Sequence, residues 1–256
     1  MLSELYAGSI ADAEQRREAV SLQQVEKSAL AAPAALDAFS ALAPAEQVKI
    51  LAEVKRASPS KGQMADIPDP AHLSKIYADN GASAISVLTE ERKFKGSLAD
   101  LRAVRAEVAV PLLRKDFIAN EYQILEARAA GADIVLLIVA GLSEADIVRL
   151  KNFTEELGML AFVETHSSDE LKLAAGIGAK MIGVNARDLS TFETDRNLFA
   201  SIVDLFPADA IKVAESAVRT AADVAHYRSA GADVVLVGEA LVTNDPAAML
   251  KSFLSI

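Results

Sequence analysis

Several apolar runs in the sequence end in an ionic or amide side chain, and together these side chains could carry out acid–base chemistry. In the segment Leu51-Ala-Glu-Val-Lys55, Glu53 and Lys55 are two residues apart, so both lie on one face of an extended strand. Amino and carboxyl groups held this close favour proton transfer. Four later apolar runs end in the same way, in Lys115, Glu164, Asn185 and Glu215.

A cluster of two lysines and several carboxylates has a definite electrostatic consequence. Attraction between opposite charges keeps both kinds of group ionised, whereas desolvation and repulsion between Lys55 and Lys115 lower the pKa of an ammonium. We therefore expect one of the two lysines to have a pKa shifted toward neutrality and to donate a proton readily. One such residue at a strand end commonly just emerges into solvent, but several at one opening indicate a site.

These side chains can meet only if the fold brings distant strand ends together. Segments that begin at Asn80, Ala130, Gly176 and Ala230 each join a helix end, closed by glycine, to an apolar strand. Helical patterns fill the seven intervals between the predicted strands and also follow the last one. The eight predicted strands are 48–55, 84–89, 111–115, 134–139, 159–164, 181–185, 211–215 and 234–238.

Eight strand–helix units predict a closed (β/α)8 barrel, a TIM barrel, in the α/β class. An open, doubly wound sheet is the alternative. The sequence contains no G-x-x-x-x-G-K-[ST] motif, and no G-x-G-x-x-G follows the first strand, which disfavours the nucleotide-binding forms of that sheet. In a barrel the polar strand ends would surround a single opening.

Composition limits the possible partners and compartments. The 256 residues carry a net charge of −10 and include no cysteine, which argues against a nucleic-acid surface and against thiolate chemistry. The first residues lack the features of an export signal, and no apolar run is long enough to span a membrane. We therefore expect a cytoplasmic protein that binds neither nucleic acid nor membrane. We also expect a monomer, although composition does not determine the oligomeric state.

The N-terminal part differs in composition and periodicity from the rest of the chain. Residues 1–46 are charged, rich in alanine and helical in periodicity, with an interruption near Pro33. We predict an N-terminal helical extension over 1–46 and a catalytic (β/α)8 barrel over 47–256.

Two further sets of residues bear on function. The loops after the seventh and eighth strands of such barrels commonly hold phosphate, which places Ser216 and Gly238 in a candidate phosphate site. His72, His166 and His226 have no mutual metal-ligand spacing. We expect surface or structural roles for these histidines and no metal site.

Six segments resemble the indole-3-glycerol-phosphate synthase family of tryptophan biosynthesis, in order along nearly the whole barrel. The segments 52–62 and 183–189 are the most specific, and residues 1–46 are similar to that family's N-terminal extension. The six segments are Ala52-Glu-Val-Lys-Arg-Ala-Ser-Pro-Ser-Lys-Gly62, Val87-Leu-Thr-Glu90 with Phe94-Lys-Gly96, Leu113-Arg-Lys-Asp-Phe117, Val163-Glu-Thr-His166, Gly183-Val-Asn-Ala-Arg-Asp-Leu189 and Ala214-Glu-Ser216.

The resemblance implies a carboxy-lyase that needs no cofactor. Its substrate, 1-(2-carboxyphenylamino)-1-deoxyribulose 5-phosphate, closes a ring and loses carbon dioxide and water to give indole-3-glycerol phosphate. Carried over from the family, Lys115 is the principal general acid, Glu53 and Lys55 form an acid–base pair, and Glu164 stabilises positive charge on the ring nitrogen. Asn185 and Arg187 orient the substrate.

The remaining contacts implied for the substrate are with its phosphate and its aromatic ring. Ala217 and Glu239 depart from the family, which usually has glycine at the first position and a small residue at the second. The expected substrate-binding residues are Ser58, Lys61, Ser216 and Gly238 for phosphate, Phe94, Phe117 and Leu136 for the aromatic ring, and Arg187 and Glu215 beside them.

Two other classes of function remain open at the level of sequence. One is a different phosphosugar enzyme, either a phosphoribosylanthranilate isomerase or an aldolase that forms a Schiff base through Lys55 or Lys115. The other is a barrel that binds a phosphosugar but has lost its chemistry and acts as a regulator or subunit.

Overall fold

The computed structural model describes residues 1–188 and 193–256. Leu189, the last residue of the segment 183–189, lies outside the described residues. No helix in these two stretches is long and apolar enough to cross a membrane.

A closed barrel of eight parallel strands forms the centre of the molecule, as the sequence predicts, and the open sheet is excluded. The strand order around the barrel is β1-β10-β9-β8-β7-β6-β5-β4, and β2 pairs with β3 in a separate small hairpin. The strands are β1 (Lys49–Val54), β2 (Ala57–Ser58), β3 (Gly62–Gln63), β4 (Ala84–Leu88), β5 (Leu112–Lys115), β6 (Ile134–Ile138), β7 (Leu160–Thr165), β8 (Met181–Asn185), β9 (Ile211–Glu215) and β10 (Val234–Val237).

Helices surround the barrel and also precede it. Three helices come before the first strand, and the rest lie between or after the barrel strands. They are α1 (Leu2–Ala19), α2 (Leu22–Ala31), α3 (Ala38–Leu42), α4 (Pro70–Asp79), α5 (Leu98–Glu107), α6 (Glu121–Ala129), α7 (Glu144–Glu156), α8 (Ser168–Gly176), α9 (Leu198–Ile202), α10 (Ala221–Ser229), α11 (Glu239–Val242) and α12 (Pro246–Phe253).

The eight predicted barrel strands agree with the observed ones to within one residue at each end. The β2–β3 hairpin, which follows β1 at the barrel mouth, is absent from the sequence prediction because each of its strands is only two residues long. The division into an extension over 1–46 and a catalytic barrel over 47–256 stays a prediction.

The barrel strands are apolar on both faces, which is typical of parallel strands covered by helices. In β1, Leu51 belongs to the interior core, whereas Ile50 and Ala52 pack outward against the helices. Because side chains alternate along a strand, Glu53 points the same way as Leu51 and reaches the mouth. The same phase places the other strand-end groups at that opening.

Two aspartates fix the starts of barrel strands on the side away from the mouth. Asp133 accepts the backbone N–H of Leu112 at 2.8 Å, and Asp233 accepts that of Lys212 at 2.9 Å. Both follow a Gly-Ala pair whose glycine has a positive φ, +89° at Gly131 and +99° at Gly231. Glycine allows this backbone conformation, which closes the preceding helix before the next strand begins.

Helix α1 is anchored to β5 and α6 by buried polar contacts. Ser9 donates to Asp116 at 3.0 Å and accepts from Gln123 at 2.8 Å, while Arg16 binds Glu126 through two bonds of 2.6 and 2.9 Å. Asp116 directly follows Lys115 in the chain. The N-terminal helix is therefore tied to the strand end that presents this lysine.

Candidate active site

Lys115 occupies the centre of the barrel mouth, surrounded by carboxylates from three other strands. Its Nζ lies 2.7 Å from Oε2 of Glu215, 3.5 Å from Oε2 of Glu164 and 4.0 Å from Oε2 of Glu53. The three carboxylates are almost completely buried, and the lysine side chain is 17% exposed. The prediction that these chain-distant groups meet is confirmed.

Glu53 and Lys55 form the ion pair that their spacing suggested. Lys55 Nζ lies 2.5 Å from Oε1 of Glu53, and the hydroxyl of Ser86 on the neighbouring strand lies 3.4 Å from Oε2. Gly238 leaves room for this pair, because a Cβ there would lie 2.5 Å from Glu53 Oε1 and 3.0 Å from Lys55 Nζ. Glycine at this position is thus required by the acid–base pair itself.

The expected fall of a lysine pKa toward neutrality is wrong for Lys115. Burial alone lowers the pKa of this ammonium, but the surrounding carboxylates of Glu215, Glu164 and Glu53 outweigh burial and raise the pKa above its ordinary value. The amino group is consequently a cation at neutral pH. Repulsion between the two lysines is the weaker effect because Lys55 is paired with its own carboxylate.

Glu164 and Glu215 differ in environment although both face Lys115. Burial raises the pKa of Glu164, but Lys115, His166 and Asn185 stabilise its charged form and bring the pKa below its ordinary value. Burial and the nearby charge of Glu164 raise the pKa of Glu215 to about 7. Two carboxyl groups with pKa values pushed apart in one site are suited to different tasks in acid–base catalysis.

Space for the Glu215 carboxyl group depends on Gly183 in the adjacent strand. A Cβ at position 183 would collide with Oε1 of Glu215 and with the ring of Phe162. Oε1 is buried and has no hydrogen-bond partner in the described part of the chain. One oxygen of this carboxyl group is therefore available to a ligand, while the other is held by Lys115.

A cavity of about 420 Å³ opens above the cluster, within the range of small-molecule sites. All of the predicted site residues except Lys61 line it. Lys61 extends from the loop of the β2–β3 hairpin and pairs with Glu239 at the rim. The structure thus brings together Glu53, Lys55, Ser58, Phe94, Lys115, Phe117, Leu136, Glu164, Asn185, Arg187, Glu215, Ser216 and Gly238.

The apolar and polar parts of the lining lie on opposite sides of the mouth. Phe94, Phe117 and Leu136 come from the β4–β6 arc, and the two phenylalanine rings are 6.0 Å apart. Ser216 and Gly238 follow β9 and β10, which are across the barrel in the strand order. An elongated ligand with an aromatic end and an anionic end would match this arrangement.

The loop after β9 has an unusual backbone. Ser216 and Ala217 both adopt positive φ angles, +71° and +57°, in the left-handed region that favours glycine. The Ser216 hydroxyl donates to Asn185 Oδ1 at 2.7 Å, which also accepts the N–H of Arg187 at 3.0 Å. These hydrogen bonds to Asn185 link the ends of β8 and β9. The side-chain amide of Asn185 also donates, through Nδ2, to Glu164 at 2.9 Å.

Sequence reasoning missed several residues at the mouth. Leu5 of α1 lines the cavity, and Tyr6 packs edge-on against Phe117 at 5.6 Å, but helical periodicity gives no signal of where α1 docks. Arg196 and Arg219 add positive charge near the loops after β8 and β9. They follow the strand ends by several residues, so the two-residue period that identified the other groups does not reach them.

The three histidines, for which the sequence predicted surface or structural roles, differ in their surroundings. His72 is exposed at the start of α4, whereas His166 is largely buried beside Glu164. His166 follows Glu164 by two residues and lies directly after the end of β7. Among the described residues, no group of three or more His, Asp and Glu side chains is placed to hold a metal ion.

The cluster favours proton transfer over imine chemistry. A Schiff-base lysine must be neutral to attack a carbonyl, and the carboxylates around Lys115 instead stabilise its ammonium form. This argues against the aldolase interpretation for that residue. A buried ammonium next to ionised carboxylates can protonate an oxygen on which negative charge develops and can stabilise cationic intermediates nearby.

Comparison with known proteins connects this site to one family. The family profile described as "Indole-3-glycerol phosphate synthase" matches residues 2–253. A protein of that name from Leifsonia xyli subsp. xyli is 60% identical over 253 residues, which cover 99% of this chain and 97% of the relative. Another from Mycobacterium tuberculosis is 50% identical over 256 residues, covering 100% and 94%.

Solved structures support the fold at low sequence identity. An N-acetylmannosamine-6-phosphate 2-epimerase from Clostridium perfringens has a TM-score of 0.63 with 12% identity, over 80% of this chain and 90% of that protein. A 3-hexulose-6-phosphate synthase from Salmonella typhimurium also has a TM-score of 0.63, with 18% identity over 81% and 97%. These similarities concern the barrel alone.

Proposed function

The chain belongs to the indole-3-glycerol phosphate synthase family, and from this premise we propose how the side chains at its barrel mouth catalyse the reaction. That reaction makes the enzyme a carboxy-lyase of tryptophan biosynthesis. It joins the carboxyl-bearing ring carbon of 1-(2-carboxyphenylamino)-1-deoxyribulose 5-phosphate to the ketone carbon, and releases carbon dioxide and then water.

The position of Lys115 is the observation that carries the proposal. The ketone oxygen gains negative charge as the ring carbon attacks, and a proton from the Lys115 ammonium converts it to a hydroxyl group. Positive charge develops on the ring nitrogen at the same time. Glu164 lies within 3.5 Å of the ammonium and keeps its negative charge, so it can stabilise that cation before carbon dioxide leaves.

Dehydration then requires an acid for the departing hydroxyl group and a base for a carbon-bound proton. Lys55 is the acid in this proposal; Glu53, 2.5 Å away, stays ionised beside it, and solvent restores the proton to Lys55. Glu215 is the base, because its pKa of about 7 allows it to release and accept a proton near neutral pH. The hydroxyl group leaves as water, and the proton retained on Glu215 passes to Lys115, 2.7 Å away, which restores the ammonium used in ring closure.

The two sides of the cavity support an orientation for the substrate. Phe94, Phe117 and Leu136 offer an apolar wall to the aromatic ring, and the loops after β9 and β10 offer Ser216 and Gly238 to the phosphate. Ser58 of the β2–β3 hairpin adds a hydroxyl group at the phosphate end of the cavity. Lys61 of the same hairpin contacts the phosphate when its ion pair with Glu239 opens.

Arg187 and Asn185 orient the substrate between these two ends. Arg187 Nε is buried and has no hydrogen-bond partner in the described part of the chain, so this guanidinium is available to an anionic group of the substrate. Asn185 is fixed by its bonds to Glu164 and Ser216, so its position couples the acid–base cluster to the phosphate loop.

A monomeric state, a cytoplasmic location and the lack of nucleic-acid binding belong to the same proposal. The net charge of −10 is unfavourable for phosphate backbones, and the absence of cysteine is compatible with a reducing compartment. Size-exclusion chromatography with light scattering would measure a mass near 27.1 kDa for a monomer.

The proposed function is tested by incubating the purified chain with the carboxyphenylamino substrate and following indole fluorescence. We expect product formation by the wild type and none above background by Lys115→Ala. A wild-type chain that binds this substrate but forms no indole would instead support the non-catalytic barrel. Borohydride treatment in the presence of substrate should give no covalent adduct, because no imine forms.

A further inference from the structure

His166 lies between a carboxylate of the cluster and a carboxylate outside it. Its Nε2 is 3.2 Å from Oε1 of Glu164, and its Nδ1 is 3.3 Å from Oε2 of Glu170 at the start of α8. Glu170 Oε2 also accepts the backbone N–H of His166 at 2.7 Å. The imidazole does not line the cavity and is 11% exposed, so it can act on the reaction only through Glu164.

We infer that Glu170 and His166 are positioning residues that keep Glu164 ionised and oriented, so that the exchangeable proton of the Glu164–Glu215 pair resides on Glu215. This inference rests on the proposed function, since it gives the two carboxyl groups different tasks. It attributes the different ionisation of Glu164 and Glu215 to the His166 cation, which contacts Glu164 but not Glu215.

The contacts of the two carboxyl groups show this asymmetry directly. Glu164 is approached by Lys115, by His166 and by the Asn185 amide, which donates to Oε1 at 2.9 Å. Glu215 has Lys115 on Oε2 and no partner on Oε1 within the described residues. Two buried carboxylates close to each other disfavour double ionisation, and the one with more cationic and donor contacts retains the charge.

Glu164 and Glu170 together make His166 a cation. Burial alone lowers the pKa of the imidazole, but contacts with Glu164 and Glu170 outweigh burial and raise it to about 10. The other titratable groups facing this assembly are Glu215, Glu53, Lys115 and the phenol of Tyr6 on α1. A protonated ring can give one N–H to each neighbouring carboxylate, which holds Glu164 in place.

The buried Nε2 lies within ion-pair distance of Glu164 but has no hydrogen bond of good geometry there. Hydrogen bonds at active sites are often long before the substrate binds. The 3.2 Å separation therefore fits a hydrogen bond that tightens when substrate binds.

The first test measures the charge of the ring directly. Nitrogen NMR of histidine-labelled enzyme, assigned with His166→Gln, should show an imidazolium signal for His166 at pH 8 and a titration midpoint above pH 8. Glu164→Gln and Glu170→Gln should each lower that midpoint, because each removes a stabilising negative charge. A neutral His166 ring in the wild type at pH 8 would overturn the inference.

The second test uses kinetics that a purely structural role would not alter. For His166→Gln we expect kcat at pH 7 to fall about 10- to 100-fold with KM changed less than about threefold, because binding groups remain while Glu164 is displaced. The acid limb of the kcat/KM profile, where kcat/KM falls as pH decreases, should move to higher pH. Loss of the His166 cation raises the pKa values of the Glu164–Glu215 pair, so both protons are lost at higher pH. Glu170→Gln should shift the limb in the same direction by less.

His72→Gln is the matched control, because that histidine is exposed and lies away from the cavity. It should leave kcat and the acid limb unchanged. If Glu164→Gln is inactive but His166→Gln has a wild-type kcat and acid limb, the positioning inference is wrong and the proposed function stands. If Glu164→Gln is fully active, the role of Glu164 in the proposed function fails, whereas the NMR titrations still decide whether the ion-paired assembly exists.

Discussion

The ammonium of Lys115 donates to Oε2 of Glu215 at 2.7 Å, joining residues 100 positions apart in the chain. This bond connects the proton donor proposed for ring closure to the base proposed for dehydration. The other oxygen of Glu215 is unpartnered among the described residues, so the carboxyl group can serve a ligand without leaving the lysine. Most of the pH dependence of the enzyme should originate in this pair and in Glu164.

Glu215→Gln should remove a neutral-pH ionisation from the kinetics. In the wild type, kcat/KM should rise as pH increases through about 7, because the free enzyme must lose the Glu215 proton before this group can act as a base. The variant should have a kcat/KM at least about 100-fold lower and no rise near pH 7. A profile that keeps its inflection after this substitution would assign the ionisation to another group.

Gly183→Ala tests the space that the Glu215 carboxyl group needs. The added methyl group would collide with Oε1 of Glu215 and with Phe162, so we expect kcat to fall by about 100-fold through displacement of the base. Gly176→Ala on α8 is the matched control, because its Cβ would contact nothing within 4 Å. Equal activity of the two variants, measured by indole fluorescence, would contradict the proposed placement of Glu215.

Ala217→Gly should stabilise the folded protein. Ala217 adopts a φ of +57°, and this left-handed conformation costs an L-residue about 1–2 kcal/mol relative to glycine. Part of the gain is offset by the greater freedom of glycine in the unfolded chain, so the free energy of unfolding should rise by up to about 1 kcal/mol. Urea denaturation would measure the change, and a destabilised variant would show that this backbone is not strained.

The stabilisation contributed by His166 should depend on pH. Contacts with Glu164 and Glu170 raise its pKa from 6.5 to about 10 against the opposing effect of burial. The folded state therefore gains the full stabilisation below about pH 6.5 and loses it progressively as pH rises through 10. The difference in unfolding free energy between wild type and His166→Gln should shrink from pH 6 to pH 10, and a difference that grows with pH would refute the assignment.

The barrel can be predicted from the sequence because the patterns that indicate it lie within short segments of the chain. Alternating side-chain phase, glycine-closed helices and apolar runs are properties of short segments, and closure of eight such units brings the strand ends together. Glu53, Lys115 and Glu215 can therefore be assigned to one mouth from the sequence alone.

The features that escaped prediction depend on relationships between distant elements. The rise in the pKa of Lys115 results from three carboxylates on three strands, whereas the sequence indicates only that opposite charges are nearby. Lys61 lies at the rim because a short hairpin carries it away from the cavity, and its pairing with Glu239 spans 178 residues. The docking of α1 beside Phe117 likewise follows from contacts between Ser9, Asp116 and Gln123 that no periodicity reveals.

The central claim is that the Lys115 ammonium supplies the proton for ring closure. The most direct measurement is a single-turnover experiment on wild type and Lys115→Ala, in which substrate binding and the rise of indole fluorescence are followed separately. We predict that the variant binds substrate with a Kd within about tenfold of wild type and that its chemical step is slower by at least about 1,000-fold. A variant that binds substrate and forms indole at the wild-type rate would remove Lys115 from the mechanism.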